Sequence, residues 1–177
     1  SEVMLHNSVN VMSAKRLDLG IVEYPFFTHA DLDRLSDSWN AKSCNEVFRV
    51  GFRQNLLATF YDAGHILGSA GVMLESESGH TVFYTGDVQF ENQSMIPGAD
   101  FPESGVDTLI MECTRGGFQR SAHYSRPEEM VRFGQAIADT LERGGAVLIP
   151  VFAIGKSQEM LFNIHRFKQQ GVIPANT

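Results

Sequence analysis

Apolar and polar positions divide the chain into short alternating stretches followed by two longer helical ones. Residues 46–52, Glu46-Val47-Phe48-Arg49-Val50-Gly51-Phe52, alternate as a half-buried strand does. Residues 56–61 form a second strand that runs straight into Asp62-Ala63-Gly64-His65. Residues 72–76 and 80–85 flank a turn at Glu77-Ser78-Gly79, the pattern of a hairpin whose glycine supplies the permissive dihedral. Each arm, about six residues long, spans roughly 20 Å at ~3.3 Å per residue, so Asp87 returns to the level of the His65 loop. Residues 91–104 are polar and rich in turn formers, and residues 106–111 read as a buried strand ending in Glu112-Cys113-Thr114-Arg115-Gly116-Gly117. Ser125-Arg126-Pro127-Glu128 predicts a capping box with an early proline, after which Met130, Phe133, Gly134, Ile137 and Leu141 keep the helical period up to Gly144-Gly145. Residues 146–152 read as a buried strand and residues 157–170 as a second helix closed by Gly171. The order β-α-β-α predicts an α/β fold with the rhythm of a parallel sheet and crossover helices.

The two ends carry weaker patterns. Residues 1–16 hold Val3, Met4, Val9, Val11 and Met12 without a firm period and predict a weak helix with no capping signal at Ser1. Ile173-Pro174-Ala175-Asn176-Thr177 has the look of an approach to another strand. Both ends suggest a piece of something longer.

Composition narrows the class. With 177 residues, 43% of them apolar and 20% charged, the chain has the length and balance of an ordinary globular domain. Two cysteines, Cys44 and Cys113, make neither a disulfide framework nor a CxxC knuckle and fit a reducing, intracellular compartment. The apolar run at residues 146–154 is interrupted by Pro150 and too short to cross a bilayer, so no membrane partner is expected. A net charge of −7 argues against a protein whose whole surface grips nucleic acid. A metal-centred nuclease is still allowed, because the metal supplies positive charge to a phosphate.

Candidate chemistry gathers at His65 and Asp87. Gly64 and Gly86, one before each, lack a Cβ and allow sharp turns that aim the next side chain inward. One imidazole and one carboxylate at the same sheet edge make half of a metal site. Glu112 ends a predicted strand beside a glycine-rich loop, a position shared by site builders and plain loop caps. Thr28-His29-Ala30-Asp31-Leu32-Asp33-Arg34 looks like a damaged HxHxDH, the strand-end motif with which metallo-β-lactamase-type enzymes hold two metals. A capping box explains it better, with Thr28 as N-cap, Asp31 at N3, and Leu32 and Leu35 at helical spacing, so His29 is not expected to be a ligand. Gly155-Lys156-Ser157 at a helix start has parts of a phosphate-binding P-loop, but Pro150, Val151, Phe152 and Ile154 obstruct the cradle. Helix packing is the expected reading there.

Four stretches taken together resemble a known family. Asp62-Ala63-Gly64-His65-Ile66-Leu67-Gly68-Ser69-Ala70, Tyr84-Thr85-Gly86-Asp87, Glu112-Cys113-Thr114 and the run from Gly145 through Gly155-Lys156-Ser157-Gln158-Glu159 resemble, in the right order, the β-CASP branch of the metallo-β-lactamase superfamily. That branch includes RNA-processing nucleases. The resemblance implies part of a metallo-β-lactamase αββα sandwich over residues 1–143, lacking the first metal motif, followed by the start of a parallel-sheet β-CASP domain at 144–177. It implies that His65 is a metal ligand, that Asp87 bridges two zinc ions, and that Glu112 orients a metal-bound histidine without touching the metal itself. The implied reaction is metal-assisted hydrolysis of a phosphodiester, with RNA as partner and a homodimer or a complex as the assembly.

The chain departs from the family pattern at several positions. Cys113 and Arg115 stand where the family has serine and tyrosine, Lys156 stands for an arginine, and His123 falls too late for the family's next histidine. Cys113 is expected to be a small buried hydrophobe. The absence of HxHxDH leads to the expectation of an internal fragment of a zinc-dependent RNA-processing nuclease, inactive as the isolated chain. The alternative from another class is a catalytically silent scaffold that binds protein partners or RNA.

Overall fold

The computed structural model describes residues 2–51 and 55–177, which form two compact units divided after Lys42. Ser1 and the end of the predicted first strand at Phe52 lie outside the described residues.

The first unit holds α1 (Glu2–Leu19) and α2 (His29–Ser36), with Val9 and Leu32 as its buried apolar side chains. The start of α2 is the capping box expected from sequence: the Thr28 hydroxyl accepts the Asp31 amide, and the Asp31 carboxylate accepts the Thr28 amide at 2.8 Å. Its Oδ1 also takes a 2.5 Å bond from Arg34, so the residue at the second-histidine position of the damaged motif is occupied in holding a helix end. The His29 imidazole meets His6 Nδ1 at 2.7 Å and Asn10 at 3.1 Å.

The second unit is built on a five-stranded mixed sheet in the order β1 (Val47–Val50), β2 (Leu56–Asp62), β3 (Ala70–Glu75), β4 (Thr81–Tyr84), β5 (Thr108–Ile110). The first four strands form an antiparallel meander and β5 joins β4 in parallel. The predicted hairpin is present, with Glu75 opposite Thr81 and Gly79 at a positive φ in its turn. One face of the sheet is organised by Phe83, which is buried and takes edge-on contacts from Tyr61 and Phe101. Gly71 is required there, since a Cβ would lie 2.7 Å from the Phe83 ring.

Two helices follow, α3 (Arg126–Glu142) and α4 (Lys156–Gln169), close to the predicted spans. Ile137, Phe167 and Ile173 are buried together, with Phe133, Leu141 and Ile164 packed around them. Gly134 lets the helices close, because a Cβ would stand 3.1 Å from Phe167 and 3.2 Å from Val172. Both helices end in the same way, through Gly144 and Gly171 at positive φ. The next amides, Gly145 and Val172, bond back to Thr140 and Phe167, the pattern that satisfies the last carbonyls of a helix.

Four expectations fail. Residues 146–152 are not a strand: they pair with no described strand, and Leu148 and Phe152 are 92% and 85% exposed. An apolar run becomes a buried strand only beside a sheet edge, and the described edges, β1 and β5, do not receive it. The parallel β-α-β-α sheet is therefore absent among the described residues, where β4 with β5 is the one parallel pairing of named strands. The stretch at 106–111 does contain β5, but as an edge strand with exposed side chains rather than a buried one. The Ser125 hydroxyl makes no capping bond at the start of α3. One of the two amides within its reach belongs to Pro127, which has no hydrogen.

Candidate active site

The turn after β2 owes its shape to short polar side chains and to glycine. Asp62 accepts the Gly64 amide at 2.8 Å, and the Ser69 hydroxyl accepts the His65 and Ile66 amides at 3.0 and 3.2 Å while donating to the Ile66 carbonyl. Gly64 has φ 63°, and a Cβ there would come within 2.5 Å of the Ala99 nitrogen and the Gln89 carbonyl. Only glycine allows the loop at 89–99 to pack that closely. The chain after β4 repeats the device at Gly86, φ 59°, where a Cβ would sit 3.3 Å from the Ala70 carbonyl.

These two turns bring the expected pair together. His65 Nε2 lies 3.9 Å from Asp87 Oδ2, with the imidazole half-buried and the carboxylate exposed. Glu112 joins from the end of β5. Its carboxylate accepts the Val88 amide at 2.9 Å and the Thr114 amide at 3.3 Å, so it grips the chain one residue beyond Asp87. Hydrogen bonding from the Thr114 side chain, then from the Val88 amide, with the charge of His65 a smaller contributor, holds the Glu112 carboxyl below its ordinary value. Buried Thr85 ties the ends of β4 and β5, its amide bonding to the Ile110 carbonyl at 3.0 Å.

Ligands of one zinc ion at ordinary bond lengths lie roughly 3 to 4 Å from one another, so the His65–Asp87 separation suits two donors to one ion. No group of three or more His, Cys, Asp and Glu among the described residues is placed to hold a metal. His123 is exposed in a turn, where its amide bonds to the Ser121 hydroxyl. Cys113 is exposed, not buried as expected, because it follows the edge strand β5 rather than a central one.

The Gly155-Lys156-Ser157 segment is not a phosphate cradle. The Lys156 and Ser157 amides are spent on the Ile154 and Phe152 carbonyls, and the lysine ammonium pairs with Glu159 at 3.4 Å. Glu159 itself is only 5% exposed and also accepts Arg126 at 2.5 Å and the Ser94 amide at 3.1 Å.

Sequence reading passed over Gln93. It sits in the polar stretch after Asp87, and its side-chain amide donates to the Gly64 and His65 carbonyls at 2.5 and 2.8 Å. A glutamine in an irregular loop carries no period and no motif, so nothing in the chain signalled it.

No family model matches the chain. Similarity to individual proteins is extensive. Transcription termination factor FttA of Methanothermobacter thermautotrophicus is 38% identical over 116 residues, 65% of this chain and 18% of that protein. Cleavage and polyadenylation specificity factor subunit 3 of Dictyostelium discoideum is 35% identical over 146 residues, 80% of this chain and 17% of that protein. An RNase J-like protein of Methanocaldococcus jannaschii is 38% identical over 121 residues, 67% and 28%. The chain belongs to the β-CASP branch of the metallo-β-lactamase superfamily. In this β-CASP chain the matched portion spans between 17% and 28% of the length of those relatives.

Proposed function

We propose that the chain is part of a zinc-dependent phosphodiester hydrolase acting intracellularly on RNA, with His65 and Asp87 as metal ligands and Glu112 as the carboxylate that orients the histidine. The observation that carries this is the 3.9 Å approach of His65 Nε2 to Asp87 Oδ2 at one sheet end. RNA as the substrate class is supported by the names of the relatives, an RNase J-like protein and a cleavage and polyadenylation factor subunit among them. No described helix is long and apolar enough to cross a membrane.

Zinc, when bound, supplies Lewis-acid and water-activating chemistry. The chain's own residues set the geometry for it. Glu112 fixes the backbone beyond Asp87 through the Val88 amide, and its charge lies near enough to the His65 ring to act on it. Asp87, exposed at the tip of its turn, faces outward where a phosphate can approach. Two donors do not satisfy a four-coordinate ion, so the chain alone neither cleaves RNA nor retains zinc tightly.

RNA cleavage by the whole protein, compared with its His65→Ala and Asp87→Ala variants, tests the assignment. Each variant should lose at least about a hundredfold in rate, more than is usual for removing a partner outside the ligand sphere. A variant that keeps full activity would refute its residue's role. Stoichiometric zinc remaining on the isolated 177-residue chain after dialysis would refute the expectation that it does not retain the metal.

A further inference from the structure

The first residues of α4 are connected to the His65 turn in two independent ways. Gln93 makes the polar connection. Its Nε2 donates to the Gly64 and His65 carbonyls at 2.5 and 2.8 Å, and its Oε1 accepts the Lys156 ammonium. Lys156 in turn pairs with buried Glu159 at 3.4 Å, which Arg126 holds from α3. The apolar connection is Gly155, φ 82°, where a Cβ would collide with the Ile66 side chain. A flexible side chain that spans two backbone carbonyls is ordered only if its other end is also tied, and Lys156 supplies that tie.

We infer that Gln93, anchored by Lys156 on Glu159, is a positioning residue that sets the His65 turn so that the imidazole faces Asp87. It touches neither reacting atoms nor the proposed ligand atoms; it acts through the carbonyls of Gly64 and His65. This rests on the metal-ligand reading of His65. Both lysine and arginine carry several N–H donors, so an arginine at 156 can also donate to the Gln93 oxygen while pairing with Glu159.

The test uses the 177-residue chain. The His65 and Ile66 amides both bond to the Ser69 hydroxyl, so their hydrogen exchange reports opening of the turn. Gln93→Glu keeps the size and the Lys156 contact but places a carboxylate against two carbonyls. Exchange at both amides should rise about ten- to thirtyfold, the effect of two lost hydrogen bonds, while the β2–β3 amides stay as they were. Lys156→Met should give a smaller rise at the same amides, and Lys156→Arg should restore the original rates. Should Gln93→Glu fail to fold, the lysine pair decides alone. Rates within twofold of the unsubstituted chain in Gln93→Glu, or in Lys156→Met, would overturn the inference. The underlying reading is tested separately by RNA cleavage in the whole protein with His65→Ala. Full activity there would defeat the metal assignment while the exchange rates still decide the role of Gln93.

Discussion

Replacing Glu159 probes the most deeply buried carboxylate in the chain. It is 5% exposed and accepts three bonds, from Arg126 at 2.5 Å, the Ser94 amide at 3.1 Å and Lys156 at 3.4 Å. Hydrogen bonds to a charged group contribute roughly 1.5–3 kcal/mol each when buried. The two cations are partly open to water and recover part of their solvation once the carboxylate is gone, which lowers the cost below that of a fully enclosed pair. Glu159→Ala should therefore destabilise the fold by about 2–4 kcal/mol, and Glu159→Gln, which keeps an acceptor and the volume, by about 1–2 kcal/mol. Urea denaturation measures both, and the alanine variant should melt about 5–15 °C lower in a chain of this length. The effect should also depend on pH. Burial pushes the Glu159 carboxyl up, but the Ser94 amide, Lys156 and Arg126 outweigh it and hold the folded value below the ordinary 4.5. A depressed folded value gives stability that is complete above pH 4.5 and is lost as pH falls through the folded value, so the gap between the unsubstituted chain and Glu159→Gln should narrow below pH 4.5. A Glu159→Ala variant within 0.5 kcal/mol of the original, or a gap that widens in acid, would refute the reasoning.

Three further outcomes are expected. Gly64→Ala must carry a Cβ at positive φ and 2.5 Å from two backbone atoms, so it should cost about 3 kcal/mol or more in denaturant and disorder the His65 turn in amide spectra. Phe83→Ala removes the buried ring against which Tyr61 and Phe101 pack and should cost about 3–5 kcal/mol by the same measurement. The Asp107 carboxyl accepts the Thr81 amide at 2.8 Å and the Thr81 hydroxyl at 2.9 Å, which hold it below the ordinary 3.8. An NMR titration should find its midpoint under that value, with its share of stability present above pH 3.8 and lost as pH falls through the folded value; a midpoint above 3.8 would contradict the assigned bonds.

Local chemistry by itself determined much of this protein. Alternation with bracketing turn residues located the strands of the meander, because a half-buried strand needs one apolar face and a hairpin needs glycine or its equivalent. Thr28 and Asp31 specified a helix start, and Gly144 and Gly171 specified helix ends, since capping is settled within a few residues. The pairing of His65 with Asp87 was legible for the same reason: a hairpin returns the chain to the level it left, here with Val72 opposite Tyr84. Tertiary structure decided what depends on distant neighbours. The apolar run at 146–152 reads as a buried strand in isolation, yet burial requires a sheet edge, and no described strand pairs with it. The strand before Glu112 became an edge strand, which left Cys113 exposed. Gln93, Lys156 and Glu159 stand as many as 66 residues apart in sequence, and no periodicity connects a loop glutamine to a helix start. Only the packing of α4 against the His65 turn, permitted by the missing side chain of Gly155, makes these three one unit.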